Sequence, residues 1–304
     1  GRSQVMSERI ELIKQLRERT GAGLRDCKKA LLANGNDVDK SVDWLREKGI
    51  AKQAKKAATR IAAEGVAWLR TEGNKAARIE INSETDFVAN SDPFRALVKT
   101  VNTIVLKNRP KTVEEAKLLK DENGKTIADL FIDAGVKLGE KLDFRRLVTV
   151  EKSDDEVFGP YIHRNGKIAT LIVLKGGSAE NATRVGLNVC SNNPAYLHES
   201  DIPEEVIDKE RKIQLEASEQ DPKFASKPEA IKNKIVRGRV EKTLFESVLD
   251  DEPMVIDEQK TVAQYLKENG ASIVSAYRYA VGEGIEKRQD DFAAEVAAQA
   301  GSSK

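Results

Sequence analysis

The chain has 304 residues, and its 51 basic and 50 acidic side chains nearly cancel. This length is enough for about two domains, and the balance of charge argues against non-specific nucleic-acid binding, which calls for a clear basic excess. Aromatic residues are 5% of the chain, so its cores must be aliphatic, and no apolar run approaches the ~20 residues that a membrane-spanning helix needs.

The cysteine pattern and the N-terminus favour a cytoplasmic protein. Cys27 and Cys190 lie far apart, and no CxxC pair occurs. This favours reduced thiols over a disulfide framework or a zinc site. The residues before Met6 contain no apolar signal region, so we expect no leader peptide.

Residues 6–50 predict a small three-helix domain. The first helix ends at Thr20-Gly21, and Asp37 is placed to cap the third. The second helix has an apolar face at helical spacing, formed by Leu24, Cys27, Ala30 and Leu31. About 40 residues is small for independent stability, but three such helices can share one core.

The Ala- and Lys-rich residues 51–64 have no wide apolar face. This composition favours a solvated helical linker over an RNA-contacting segment.

The next stretch predicts a hairpin followed by a helix, and the pattern occurs twice. In the first copy, strands at 65–70 and 73–81 precede a helix at 94–105. In the second copy, strands at 157–163 and 165–173 precede a helix at 182–190. A core of two similar halves follows, with the first half at 65–147 and the second at 148–202 and 243–288.

The turn after the strand that ends in Ile79 and Ile81 is the most unusual feature. It places Phe87, a large apolar side chain, beside Asp86 where a turn would ordinarily be polar. Aligned at a constant offset, Thr85–Val88 falls opposite Gly177–Glu180, which has neither the acid nor the aromatic ring. The fold therefore does not obviously require Asp86 and Phe87, and this favours a functional role for them.

The rest of the chain adds helices, a strand and a projecting element. Helices are predicted at 113–119, 126–139 and 261–269, and strands at 144–150 and 277–281. Residues 203–242 predict a helical hairpin broken at Gln220-Asp221-Pro222, and this hairpin is also a candidate surface for pairing of two copies. Residues 290–298 predict a short C-terminal helix with an acidic first turn, which suits the helix dipole.

A search for catalytic chemistry is negative. The two histidines, His163 and His198, have no metal-ligand spacing to Cys or acids. Gly124-Lys125-Thr126 resembles the end of a phosphate-binding loop, but Leu119 stands where that motif needs glycine. Asp250-Asp251 is expected to be solvated. We therefore expect a non-catalytic binding protein with no cofactor and no metal site.

Four stretches resemble the bacterial elongation factor Ts family. They are Thr85–Asn90 (TDFVAN), the N-terminal Leu16–Leu31, and the C-terminal Val281–Lys287 with Asp291–Val296. They occur in the family's order and span nearly the whole chain.

The resemblance implies an α+β protein with an N-terminal ubiquitin-associated-like three-helix domain and a core of two similar halves. A helical hairpin insertion at 203–242 and a C-terminal module at 289–304 complete it. It also implies a guanine-nucleotide exchange factor that binds GDP-bound elongation factor Tu and binds no nucleotide itself.

The resemblance also implies which residues contact elongation factor Tu. Family members insert the Asp-Phe turn into the partner's nucleotide domain, which disturbs the phosphate loop and dislodges magnesium. Here this falls on Asp86 and Phe87, framed by Thr85 and Val88. Weaker expectations of partner contact fall on Leu24, Arg25, His163, Phe292 and Val296. Many relatives carry apolar residues at the positions of Leu24 and Arg25, so Arg25 departs from the family pattern.

One alternative of a different class stays open on the residues alone. A translation-associated RNA-binding or chaperone-like scaffold would use the Lys-rich residues 52–60 and the charged hairpin. Salt-dependent RNA binding by the isolated protein would distinguish it from an exchange factor.

Overall fold

The structure, a computed structural model, describes residues 2–48 and 60–286. These divide into two compact units. The first contains 2–48, 60–151, 162–169 and 279–286, and the second contains 152–161 and 170–278. None of the described helices is both long and apolar enough to cross a membrane.

The N-terminal part of the first unit is the predicted three-helix bundle. Its helices are α1 (Arg2–Thr20), α2 (Leu24–Ala33) and α3 (Val38–Glu47). Asp37 caps α3 as predicted, because its side chain accepts the Lys40 N–H at 3.0 Å. Helix α1 starts at Arg2 and includes Ser7, a residue type that would suit a helix N-cap. The bundle's core consists of small and aliphatic side chains, namely Ile13, Leu16, Ala22, Cys27, Ala30, Leu31 and Leu45.

The first half of the predicted core follows. A three-stranded antiparallel sheet has the order β1-β2-β3. Its elements are β1 (Glu64–Glu72), β2 (Lys75–Ser83), α4 (Asp86–Ala89), α5 (Asp92–Asn108), α6 (Val113–Lys117), α7 (Ile127–Leu138) and β3 (Asp143–Glu151). Strand β3 pairs with β2 as far as Glu151, so the first half runs past the expected boundary at 147.

The alternating apolar residues of β2 pack under α5, where Phe94 is fully buried with Ile79 and Ile81. The opposite face of β2 is buried as well, which an alternating strand would not predict. Arg78 stacks on Tyr279, with its guanidinium carbon 3.3 Å from the ring centroid. Glu80 is fully buried on the same face.

Buried Glu80 is held by a network of donors within the first unit. Arg145 Nη1 lies 3.2 Å and Arg146 Nε 2.5 Å from its carboxylate. The backbone N–H of Gly282 donates to the same carboxylate at 2.9 Å. Because a buried carboxylate needs such partners, this network fixes residues 279–283 on the sheet. Gly282 has φ +76°, and a Cβ there would lie 2.4 Å from the Ala63 carbonyl oxygen.

The second half repeats the hairpin and helix, as predicted. Its sheet has the order β4-β5-β8, and a two-stranded sheet pairs β6 with β7. The elements are β4 (Glu156–His163), β5 (Ile168–Lys175), α8 (Ala179–Asn192), β6 (Pro253–Met254), β7 (Asp257–Thr261), α12 (Val262–Glu268) and β8 (Ser272–Ala280).

The predicted helical hairpin is formed by α9 (Glu204–Glu219), α10 (Pro222–Ala225) and α11 (Glu229–Phe245). Phe224 from α10 packs against Val236 and Val240 of α11, which gives the hairpin a small core of its own. Short 3₁₀ turns lie at Glu199–Asp201 and Leu249–Asp251.

The connection after the hairpin differs between the halves. In the first half, residues 84–91 separate β2 from α5 and carry the one-turn helix α4. In the second half, Gly176–Ser178 leads directly from β5 into α8. The constant-offset match between the two turns therefore fails, because the second turn is shorter. The Asp86–Phe87 turn is an elaboration of the first half that the second half lacks.

Candidate partner-binding site

The turn after β2 displays one aromatic ring and buries its neighbours. Thr85 caps α4, since its hydroxyl oxygen accepts the Val88 N–H at 3.2 Å. Val88 and Ala89 are 6% and 1% exposed and pack in the core under α5. Phe87, between the cap and these anchors, is 86% exposed. For Val88 the geometry therefore supports an anchoring role, and Phe87 is the side chain presented outward.

Glu140 holds the start of this turn. Its Oε1 accepts the N–H groups of Glu84 and Thr85 at 3.2 and 3.1 Å. Its Oε2 accepts the Thr85 hydroxyl at 2.8 Å. In return, Glu84 Oε2 accepts the Lys141 N–H at 2.7 Å. The residues just after α7 thus clamp the entry to the turn.

Asp86 faces the tip of the β4–β5 hairpin, residues 163–167. Lys167 pairs with the Asp86 carboxylate and lies 3.7 Å from Glu64. The hydrogen bond from Lys167 lowers the pKa of Asp86, and Asn90 acts in the same direction. Asp86 is therefore ionised at neutral pH.

The hairpin tip is fastened to β1 and α5 by hydrogen bonds to its backbone carbonyls. The Ala67 N–H donates to the Gly166 carbonyl at 2.7 Å, and Arg95 donates to the Asn165 carbonyl at 2.9 Å. His163, half-buried at the start of this tip, accepts the N–H of Lys167 at its own carbonyl. The structure thus brings the His163 segment to the Asp86 carboxylate through Lys167.

The start of α2 lines a groove in the same unit. Leu24 is half-buried against the bundle core, and Arg25 is exposed. The groove has a volume of about 380 Å³, and its walls also include Phe131 of α7, Glu84 and Glu140. The predicted contact residues of the small domain therefore border the residues that clamp the turn.

The predicted C-terminal contacts cannot be placed in the described part of the chain, and the prediction for Asp250 is corrected. Phe292 and Val296 lie outside the described residues, as does most of the predicted linker. Asp250 is not simply solvated, since it is half-buried with Oδ2 2.5 Å from His198 Nδ1.

Known proteins resemble the chain along nearly its whole length. The family described as elongation factor TS matches residues 84–283. The chain belongs to the elongation factor Ts family. It is 47% identical to elongation factor Ts of Limosilactobacillus reuteri over 284 residues, 93% of this chain and 96% of the relative. It is 45% identical to elongation factor Ts of Pediococcus pentosaceus over 291 residues, 96% and 98% of the two chains.

Membership in the elongation factor Ts family confirms the resemblance seen in the sequence, and it makes the chain a translation elongation factor. The family match begins at Glu84, at the entry of the Asp86–Phe87 turn, and ends at Glu283, beside the Gly282 contact with Glu80.

The sequence did not predict Glu140 and Lys167, the two residues that hold the Asp86–Phe87 turn of this elongation factor Ts. Only one local signal pointed toward Glu140, namely Gly139 as the stop of the predicted helix before it. Lys167 follows the hairpin turn, where a lysine is unremarkable.

Proposed function

We propose that this chain binds GDP-bound elongation factor Tu and promotes release of the nucleotide, without chemistry of its own. The observation that carries the proposal is Phe87, 86% exposed on a turn whose neighbours Val88 and Ala89 are buried. A large apolar ring held outward on an anchored turn is suited to insertion into a partner.

The rigidity of the turn favours insertion. An ordered loop loses little conformational entropy on association, so more of its contact energy appears as binding. Thr85 and Glu140 fix the backbone beside Phe87 by hydrogen bonds. Asp86, ionised and paired with Lys167, is held next to the ring.

The exchange mechanism follows from linkage between binding sites. Magnesium neutralises phosphate charge in GTPases, so the ion and the nucleotide bind together. A ring that stabilises a displaced phosphate loop dislodges magnesium and weakens GDP binding. By reciprocity, bound GDP lowers the partner's affinity for this protein to the same extent.

One ring cannot supply all of the energy. A fully buried Phe contributes roughly 1.5–3 kcal/mol, so further interface must offset the distortion of the partner. Leu24 and Arg25 beside the groove, together with His163, are proposed as further contacts. Phe292 and Val296, in the module at 289–304, are proposed as contacts on the sequence alone.

The direct test loads elongation factor Tu with fluorescent GDP and follows its release in excess unlabelled GDP. We expect release to accelerate with increasing amounts of this protein, and excess magnesium to reduce the effect. Fluorescent GDP mixed with this protein alone should show no binding. Release that is independent of the protein would refute the proposal, and salt-dependent binding to RNA in the same preparation would favour the scaffold alternative.

Self-association through the helical hairpin is also proposed. Ile213, Leu215 and Ile231 are 49%, 39% and 47% exposed on α9 and α11, and aliphatic side chains exposed on a helical hairpin suit packing against a second copy. Sedimentation equilibrium should then give a dimer that Ile213→Lys and Ile231→Lys convert to a monomer. A wild-type protein that is monomeric at all concentrations would contradict this.

A further inference from the structure

Glu140 controls the geometry of the Asp86–Phe87 turn without being part of it. Its two carboxylate oxygens accept three hydrogen bonds from Glu84 and Thr85, the residues that lead into α4. We propose that Glu140 is a positioning residue for nucleotide exchange, which sets where Phe87 is presented to the partner. This inference rests on the exchange function proposed above.

The local backbone places Glu140 for this task. Helix α7 ends at Leu138, and Gly139 takes the left-handed conformation with φ +69° that commonly ends helices. Its N–H donates to the Gly135 carbonyl at 2.9 Å, which closes the last turn. Glu140 therefore directly follows the glycine that ends the helix. The next residue, Lys141, returns a hydrogen bond to Glu84 at 2.7 Å.

The hydrogen bonds act on the atoms that determine the position of α4. The Thr85 hydroxyl donates to Glu140 Oε2 and accepts the Val88 N–H, so one rotamer serves the clamp and the helix cap. A carboxylate that accepts backbone N–H groups makes charge-assisted hydrogen bonds, which are stronger than neutral ones. The turn that carries Phe87 is thus held at its buried end by the core and at its entry by Glu140.

The same distances show what each substitution changes. Glu140→Ala removes all three acceptors and leaves the entry to the turn free to move. Glu140→Asp keeps the charge but shortens the reach by one methylene. Glu140→Gln keeps an oxygen for the two backbone N–H groups, and its amide can donate to the Thr85 hydroxyl oxygen. Glu122→Ala removes an exposed carboxylate with no role in the turn and serves as the matched control.

The experiment measures GDP release from elongation factor Tu at several concentrations of each variant. It separates the maximal release rate from the factor concentration that gives half of it. We expect Glu140→Ala and Glu140→Asp to lower the maximal rate about tenfold, since small displacements of a positioned group cost that much or more. The half-saturating concentration should stay close to wild type. Glu140→Gln, which makes only neutral hydrogen bonds, should lower the rate less than Glu140→Ala does. Glu122→Ala should behave like wild type.

The double variant Phe87→Ala/Glu140→Ala tests whether Glu140 acts through the ring. If it does, the second substitution should cause no further loss of rate, because residues that act as a unit are non-additive. Hydrogen exchange should also accelerate in the peptide covering residues 83–90 of Glu140→Ala and remain unchanged elsewhere. Acceleration confined to this peptide distinguishes a local effect from a general loss of stability, which would accelerate exchange in the core peptides as well.

Three results would overturn the inference. The first is a maximal release rate for Glu140→Ala that equals the rate for Glu122→Ala, while Phe87→Ala remains slow. This result would remove the positioning role and leave the exchange function intact. The second is an additive loss in the double variant, which would make Glu140 a separate contact. The third is an absence of stimulation by the wild-type protein, which would overturn the exchange function and the positioning role with it.

Discussion

Phe87→Ala separates the contribution of one side chain to exchange from its contribution to folding. The ring is 86% exposed and lies outside the core cluster that holds Val88 and Ala89. The clamp from Glu140 is made to backbone and hydroxyl groups of Glu84 and Thr85, so it survives the substitution. We therefore expect the free energy of unfolding to change by less than about 0.5 kcal/mol, as for other surface substitutions.

The effect on exchange should be much larger. Burying the ring in the partner would contribute about 1.5–3 kcal/mol. Each 1.36 kcal/mol of barrier changes a rate tenfold, so GDP release should slow by about 10- to 150-fold. The upper value applies if the whole burial energy is realised in the state from which GDP leaves.

The assay is stopped-flow release of fluorescent GDP from elongation factor Tu, with thermal unfolding of each variant in parallel. Ile256→Ala is a matched control, because it truncates a different exposed apolar side chain, 46% exposed in the β6–β7 turn. Wild-type exchange by a correctly folded Phe87→Ala would refute the insertion role. Loss of exchange together with a large drop in melting temperature would show that the ring belongs to the core.

Three further predictions concern buried or paired side chains of the first unit. Glu80→Ala should lower the free energy of unfolding in urea by about 3–5 kcal/mol, because the guanidinium groups of Arg145 and Arg146 lose their buried carboxylate partner. Glu72→Ala, at an exposed strand end, should change this free energy little. Lys167→Met should raise the pKa of Asp86, measured by NMR titration of its carboxyl carbon. The pKa of Asp86 is lowered in the folded protein. The stabilisation from its pair with Lys167 is therefore complete above the ordinary carboxyl pKa of about 3.9 and is lost as pH falls through the lowered value. An unchanged pKa of Asp86 in Lys167→Met would contradict the pairing. Burial raises the pKa of Cys27 to about 12, so a disulfide reagent should label it only after unfolding, and rapid labelling of the native protein would contradict its burial.

Local periodicity predicted most helices and strands, because each has one buried face. It was misleading at β2, where alternation predicts that Arg78 and Glu80 face solvent. Both are buried, at 5% and 0% exposure. The second face of β2 is covered by Arg145 and Arg146 of β3 and by residues 279–283. Such a face carries no apolar signal in the strand itself.

The candidate site was predictable only in its exposed part. Phe87 stood out because a large apolar residue is unusual in a turn. Glu140 and Lys167 act from 55 and 81 residues away along the chain, and each belongs to a residue type that is abundant on the surface. Which acid accepts the Thr85 hydroxyl depends on how α7 ends beside β2, and that is a tertiary contact without a sequence period.

The hydrogen bond between Glu80 and Gly282 joins residues 202 positions apart. A ribosome makes β1, β2 and β3 long before it makes this donor. Until then, Glu80 and the two arginines beside it lack part of their final surroundings, and full burial of the carboxylate would be costly. We therefore expect the first half of the core to complete its folding only after residue 282 has left the ribosome. The last folding step of the first half is thus tied to the synthesis of residues 279–283.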